Sequence, residues 1–362
     1  MDIDIILECD ASPAQVAEIA VEAEKLGVRA IWTSNYHQNY DCFMALMPAA
    51  SVTSKIKLGI MAITPWELHP LKMANATHTL NQHSKGRAIV SISGGGGVLG
   101  ALGWRINKDS AVWPLKDPLT LARYPERRVR GLRECIDILN LSRSGKMTYN
   151  YDGEIFQVTR PFQNSWDTSD DPFFIYGCCS GPMMIRAGAQ YADGVFLSDY
   201  TVDMMPSAIE NLEKGFAKRE WPKDKFRLNN FWAWHIKDDA KASQLEGQRE
   251  LIWRGAIAGK AAHDIRPHVG SDEEVQLIID NWDNFFKAFW TRSGQIDNIP
   301  EELSNQLLDG MSSWGGPDKI DQEIARYQAF ADAGLTELAI RLFDDPMDSL
   351  KLIGERVMPK FR

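Results

Sequence analysis

IKLGIMAITPWELHPLKMANATHTLNQHSKGRAIVSISGG, residues Ile56–Gly95, holds one complete strand, helix, strand unit and decides the fold class. Lys57–Ile63 and Ala88–Ser93 are short, apolar and β-rich, as strands buried on both faces are, and His69–Ser84 between them has helical periodicity. That order makes a parallel pair joined by a crossover helix. Working outward, further strands are expected at Asp4–Glu8, Ala30–Ser34, Phe173–Gly177, Gly194–Ser198, Asn230–Ile236 and Glu337–Leu342, which brings the count to eight. Helical patterns fall between them. Pro13–Leu26 is the clearest, with Ser12 as N-cap, Pro13 in the first turn, an apolar stripe through Val16, Ile19, Ala20, Ala23 and Leu26, and Gly27 as the stop. The others are Asp41–Ser51, Glu126–Leu141, Pro182–Ala192, Pro206–Lys218, Asp238–Ile257, Pro317–Ala333 and Pro346–Val357. Eight strands paired with helices is the arithmetic of an α/β protein of the (β/α)8 TIM-barrel type, with an open doubly wound sheet as the alternative.

Two stretches exceed what crossovers need, so the chain reads as a single barrel domain over residues 1–362 with insertions at about 98–171 and 263–313, after the fourth and seventh strands. The first insertion contains a loop with Trp104, Trp113 and Pro114, a helix, and KMTYNYDGEIFQV (Lys146–Val158), read as a hairpin turning at Asp152-Gly153. The second is largely helical and gathers Trp282, Phe285, Phe286, Phe289 and Trp290 at helix spacing. Both follow the C-terminal ends of strands, where barrel active sites sit, which makes them lid candidates. A dimer interface or ordinary core packing is the equal alternative for the aromatics.

The composition excludes several classes. With 362 residues, 44% hydrophobic and 25% charged, the chain can bury a large core. A net charge of −9, a pI near 5.4 and scattered Lys and Arg argue against a nucleic-acid or anionic-membrane surface and for a small-molecule substrate. No run reaches the ~18 apolar residues of a membrane span, and MDIDIILECD lacks the basic start of a signal peptide, so a cytoplasmic protein is expected. Cys9, Cys42, Cys135, Cys178 and Cys179 match neither a disulfide framework nor a zinc ribbon, and HExxH, GxSxG and Walker patterns are absent; no metal site is expected.

Chemistry is sought at strand ends. SISGGGG (Ser91–Gly97) exposes backbone N–H groups at Ser93, Gly94 and Gly95 and lets a flat ligand approach, although a glycine run is also an ordinary loop. YGCCSGPMMIRAGAQYADG (Tyr176–Gly194) carries a strand through Gly177, Cys178, Cys179, Ser180 and Gly181 into a helix opened by Pro182 and Met183, where free N–H groups offer an anion site, although such strand-to-helix turns also occur in non-binding loops. Glu8, the Ser34-Asn35-Tyr36-His37 run, Thr64 and Ser198-Asp199 also stand at strand ends, so a carboxylate, an amide and an imidazole can meet at one mouth. Surface positions are the plain alternative for Glu8 and His37. His235 reads as a hydrogen-bonded core histidine, and His69, His78 and His83 do not share a helix face.

Three stretches resemble the bacterial-luciferase-like family: Ile56–Gly95 its strand, His-Pro helix and Gly-Arg-Ala turn; Tyr176–Ser198 the Gly-Pro phosphate loop of its deazaflavin-dependent members, of the methylenetetrahydromethanopterin reductase and phthiodiolone ketoreductase types; and GGPDKIDQEIARYQAFADAGLTELAI (Gly315–Ile340) its C-terminal segment. The resemblance implies a barrel holding coenzyme F420, or alternatively FMN. It implies a non-prolyl cis peptide in the neighbourhood of Ala62-Ile63 behind the ring, with Thr64 and Ser198 nearby, and the phosphate on Cys179, Ser180 and Gly181. It further implies an acidic residue at the Glu8 position and a homodimer. One departure stands out: where deazaflavin members carry Asp-His after the second strand, this chain has Ser34-Asn35, with His37 beyond. The activity expected is hydride transfer to or from a small apolar substrate, with Glu8, Asn35 and His37 as the catalytic set. Its alternative is a two-component monooxygenase fed reduced FMN by a flavin reductase, and a third reading is a non-catalytic flavin-binding barrel. Trp32, Trp66, Trp104 and Trp113 near strand ends suggest an apolar or aromatic substrate, or packing.

Overall fold

The computed structural model describes residues 1–103, 125, 127–168 and 170–361. Its strands are β1 (Asp2–Leu7), β2 (Ala30–Ser34), β3 (Lys57–Ile63), β4 (Ala88–Ile92), β5 (Tyr151–Asp152), β6 (Gln157–Val158), β7 (Phe174–Cys179), β8 (Gly194–Leu197), β9 (Arg227–Trp234), β10 (Ser312–Ser313) and β11 (Glu337–Leu342). The main sheet runs β10-β9-β11-β1-β2-β3-β4-β7-β8, and β8 pairs again with β9, so the sheet closes on itself. Closure makes the fold a (β/α)8 barrel and removes the open-sheet alternative. Three expected strands, β2, β3 and β11, coincide with the observed ones to the residue, as does the helix Pro13–Leu26 with its Ser12 capping box.

By their internal contacts the residues group into two compact units, Ile6–Leu197 with Ser207–Asn229, and Met1–Ile5 with Ser198–Pro206 and Asn230–Arg362. The first holds the parallel run β2-β3-β4-β7-β8. Its strands are buried along nearly their whole length, which is why they read as continuous apolar runs instead of alternating ones. Trp32 on β2 is fully buried, with its ring edge-on to Tyr176 (5.6 Å) and Phe196 (5.0 Å). It also lies across Gly59, its register partner on β3. Trp66 packs over Gly131 and tilts against Phe156 at 6.0 Å. Both tryptophans are therefore packing residues; Trp104, Trp113 and Pro114 lie outside the described residues.

Two charged side chains, half-buried Glu24 and buried Arg87, fix where β3 and β4 begin. The Glu24 carboxylate accepts from the backbone N–H groups of Ser54, Lys55 and Ile56, just ahead of β3. Arg87, at the foot of β4, donates to the carbonyls of Ala50, Thr53, Ile56 and Ser84 and to the Thr53 hydroxyl. The hairpin β5–β6 corrects one expectation. Tyr151 pairs with Val158 and Asp152 with Gln157, so the turn is the four residues Gly153–Phe156 and not a tight Asp152-Gly153 turn. The reason is Glu134, whose carboxylate collects the N–H groups of Glu154, Ile155 and Phe156.

The second unit holds β9 from Asn230 onward, β10 and β11, together with the helical insertion. Ile257, Ile265, Phe285, Leu307 and Leu308 form its core, with Trp282, Phe286 and Phe289 packed against it. The aromatic cluster is thus largely core packing, leaving Trp290 exposed. The single helix expected over Asp238–Ile257 is broken: Ala240–Glu250 gives way to a 3-10 turn, Leu251–Trp253, and Arg254 is extended at φ −68°, ψ 132°.

Two outcomes follow. A methyl group on Gly59 would stand 2.2 Å from the Trp32 ring, so Gly59→Ala is expected to cost about 1–3 kcal/mol in urea unfolding; a neutral result would contradict the Trp32 packing. Burial tends to raise the Glu24 pKa, but the Ile56, Lys55 and Ser54 amides outweigh it and hold the group near 2, below its ordinary 4.5. Its stabilisation is then complete above about pH 4.5 and lost as pH falls toward 2; Glu24→Gln should flatten that acid limb of the stability curve.

Candidate active site

The end of β3 is where the first unit departs from regular structure. Ile60 pairs with Val90 and Ile63 with Ile92, so β3 carries one extra residue, a bulge, and the Met61–Ala62 peptide within it is cis. The cis bond lies one peptide before the Ala62-Ile63 neighbourhood expected. Asn35, just past β2, spans this bulge: its backbone N–H donates to the Met61 carbonyl (2.8 Å), and its side-chain amide donates to the Ala62 carbonyl (3.2 Å) and to Glu67 Oε1 (2.7 Å). Glu67 Oε1 also accepts the Thr64 N–H at 2.8 Å. Burial lifts the Glu67 pKa above the usual carboxylate value, against those two hydrogen bonds. The Thr64 hydroxyl is buried and, among the described residues, has no hydrogen-bond partner.

Beside this cluster, Ser93 N–H donates to the Ile63 carbonyl (2.8 Å), and the Ser93 hydroxyl accepts the Gly95 N–H (3.2 Å). Gly95 sits at φ +91°, where a Cβ would strike Leu99 and the Thr64 hydroxyl, so this position demands glycine. The glycine run is not wholly loop: Gly96 begins a short helix, Gly96–Ala101. A Cβ on Gly94 would lie 3.5 Å from Met184 Cε, which sets the glycines next to the first turn of the helix Pro182–Tyr191. Gly181 caps that helix without a side-chain bond, and a Cβ there would meet nothing within 4 Å. Because Pro182 has no N–H, the open donors of the first turn are those of Met183 and Met184.

The remaining expected site residues divide. Ser180 and Met183 are exposed and Cys178 is half-buried, on the strand face shared with Tyr176. Gly177 and Cys179 face the helix instead: a Cβ on Gly177 would lie 3.0 Å from Gly188 Cα, and the Cys179 sulfur is next to both glycines. Burial raises the Cys179 thiol pKa well above normal, so it stays a neutral thiol. Glu8 is half-buried after β1, and His37 is exposed, its ring 4.4 Å from that of Tyr36. The Tyr40 N–H donates to the Cys9 carbonyl (3.0 Å), tying together the two loops that carry Glu8 and His37.

In the second unit, Ser198 follows β8 and its hydroxyl donates to Asp199 Oδ2 (3.2 Å). Asp199 takes the Gly255 N–H (3.3 Å) on the same oxygen and pairs with Arg254 Nη1 at 3.0 Å. Burial raises the Asp199 pKa, against the opposing charges of Arg254 and Arg341. This pair explains the helix break, since Arg254 is drawn in to 1% exposure over the Phe231 ring. His235, expected in mid-strand, lies just past β9. It is buried, with Nδ1 3.0 Å from Glu246 Oε1 and its ring stacked on Phe343.

Residues 6–337 match the family model described as luciferase-like monooxygenase. The chain belongs to that family. It is 24% identical over 342 residues to the 5,10-methylenetetrahydromethanopterin reductase of Archaeoglobus fulgidus, covering 94% of this chain and 93% of that protein. It is 25% identical over 368 residues to the F420-dependent glucose-6-phosphate dehydrogenase of Amycolatopsis mediterranei, covering 97% and 95%. The structure of the coenzyme F420-dependent tetrahydromethanopterin reductase from Methanopyrus kandleri superposes with a TM-score of 0.80 at 21% identity, covering 100% of this chain and 99% of that one, a likeness of fold. Membership in the luciferase-like family makes the chain an enzyme, an oxidoreductase, and overturns the non-catalytic reading. Among the described residues no helix is long and apolar enough to cross a membrane.

Asp199 stands among the strand-end residues the sequence offers, but its partner Arg254, Arg341, and Glu67 do not announce themselves there. Glu67 stands in the loop after β3, on the face already searched, and a search extended five residues past the strand would have found it. Asp199→Ala breaks a buried ion pair and should lower unfolding stability by about 3–5 kcal/mol; a loss near zero would show that other groups carry Arg254.

Proposed function

We propose that this luciferase-like enzyme is an F420-dependent oxidoreductase transferring hydride to or from a small apolar substrate. The observation that carries the reading is the helix Pro182–Tyr191: among the described residues, an N-terminus without a side-chain cap, open space at Gly181, and Gly94 close to the Met184 side chain of its first turn. An anionic phosphate suits such a helix end, because the Met183 and Met184 donors and the helix dipole both favour negative charge. The names of the full-length relatives, one F420-dependent, support the same cofactor.

In this reading the phosphate lies on Ser180, Gly181, Pro182 and Met183. The ring lies by Ala62, Ile63, Thr64, Ser93, Gly94 and Gly95, where the buried, unpartnered Thr64 hydroxyl suits a flat ligand with polar edges. Gly177 and Cys179 shape the strand and helix behind it. When bound, F420 supplies two-electron hydride chemistry. The chain supplies the rest: Asn35 holds the bulge, and Glu8 or His37 exchanges the proton. We further propose that residues 1–362 work as one domain, and that the protein forms a homodimer, for which exposed Met44 and Val52 on the helix Cys42–Val52 are candidate contacts.

The FMN alternative, with a flavin reductase as partner, draws on one observation: Ser34-Asn35 replaces the Asp-His pair, and Asn35 is already engaged by Ala62 and Glu67. Titrating the protein with oxidised F420 and with FMN, read by tryptophan fluorescence, separates the two; selective F420 uptake is expected. Oxygen consumption with reduced FMN would favour the monooxygenase. Gly181→Asp tests the phosphate position. A carboxylate there is a good helix N-cap, so stability should hold or rise, while F420 affinity falls by about tenfold or more; unchanged affinity would remove the phosphate from this helix.

A further inference from the structure

We infer that Glu67 is the positioning residue of the cofactor site, an uncommitted-looking loop carboxylate that holds Asn35 and the β3 bulge in one geometry. The inference rests on the reading that the ring lies at the end of β3. Both donors that reach Glu67, the Asn35 amide at 2.7 Å and the Thr64 N–H at 2.8 Å, land on the same oxygen, Oε1. The other hydrogen of the Asn35 amide goes to the Ala62 carbonyl, so one carboxylate oxygen sets the plane of that amide and, through it, the orientation of the bulge.

The loop that carries Glu67 is itself rigid. The Thr64 carbonyl accepts the N–H groups of both Glu67 and Leu68, each at 3.2 Å. Trp66 leaves in the other direction and is anchored on Gly131 and Phe156. With Trp66 fixed on one side, Glu67 is delivered to the other, beneath Asn35. Thr64 is thereby held by its backbone, leaving its buried hydroxyl, against Gly95, as the polar group of this cluster that no atom of the described residues satisfies. A group left unmet in the protein and rigidly placed is one for a ligand to complete. Asp41 adds a like charge in the neighbourhood of Glu67, which with burial makes the ionised carboxylate more costly there.

Two near-isosteric variants decide the matter. Glu67→Gln keeps an Oε1 acceptor for both donors, whereas Glu67→Met keeps the shape and removes the acceptor. Two readouts are used on the full-length protein: amide hydrogen exchange at Thr64 without cofactor, and equilibrium binding of oxidised F420. Glu67→Gln should protect the Thr64 amide and bind F420 within about threefold of wild type, while Glu67→Met should expose that amide and weaken F420 by about tenfold or more. Asn35→Leu, which cuts the other half of the clamp, should weaken F420 similarly while leaving Thr64 protected. Loss of F420 binding in the Gln variant equal to that in the Met variant, or wild-type exchange and binding in the Met variant, would overturn the inference. If wild-type protein takes up no F420, the cofactor reading falls, and the exchange ranking at Thr64 still decides whether Glu67 positions the loop.

Discussion

A strand with one residue too many has a carbonyl its neighbours cannot pair, and at the end of β3 the Ala62 carbonyl is taken up by Asn35, while Glu67 holds both Asn35 and the Thr64 N–H just beyond the strand. The rest of the site depends on that solution. Because the bulge is satisfied from within, Ile63 can still receive the Ser93 N–H, and β4 leaves the sheet at the glycines with its loop already oriented. Gly95 then turns through the left-handed region beside Thr64, and Gly94 comes next to Met184. Strand bulge, glycine run and helix N-terminus are therefore one connected surface, built on parallel strands whose C-terminal ends a closed barrel must bring to the same face.

The barrel was legible because its signals are local. Strands buried on both faces leave continuous apolar runs, and capped helices such as Pro13–Leu26 announce both ends. The failures have a common cause, a buried charge acting over a long sequence distance. Glu134 opens the tight turn expected at Asp152-Gly153 by drawing three amides to itself, and Asp199 breaks the helix expected through Ile257 by pulling Arg254 inward. Neither partner is adjacent in sequence, so no window of residues reports the contact.

The site was legible only in part for a related reason. Glycines, Thr64, the Gly-Pro turn and Asn35 are marked as candidates by residue type, but no residue type reports that the Asn35 amide donates to both the Ala62 carbonyl and Glu67. Gly177 and Cys179 stood in the right motif yet serve the close approach of strand and helix at Gly188. In a luciferase-like enzyme lacking the Asp-His pair, the structure gives the position after β2 to an amide paired with a carboxylate from the next loop.

The most direct test of this account is a crystal structure of the protein with oxidised F420. The account predicts the deazaflavin ring against the Met61–Ala62 stretch, with the Thr64 hydroxyl within hydrogen-bond reach, and the phosphate on the Met183 and Met184 amides. A cofactor bound elsewhere, or a phosphate held away from that helix, would contradict it.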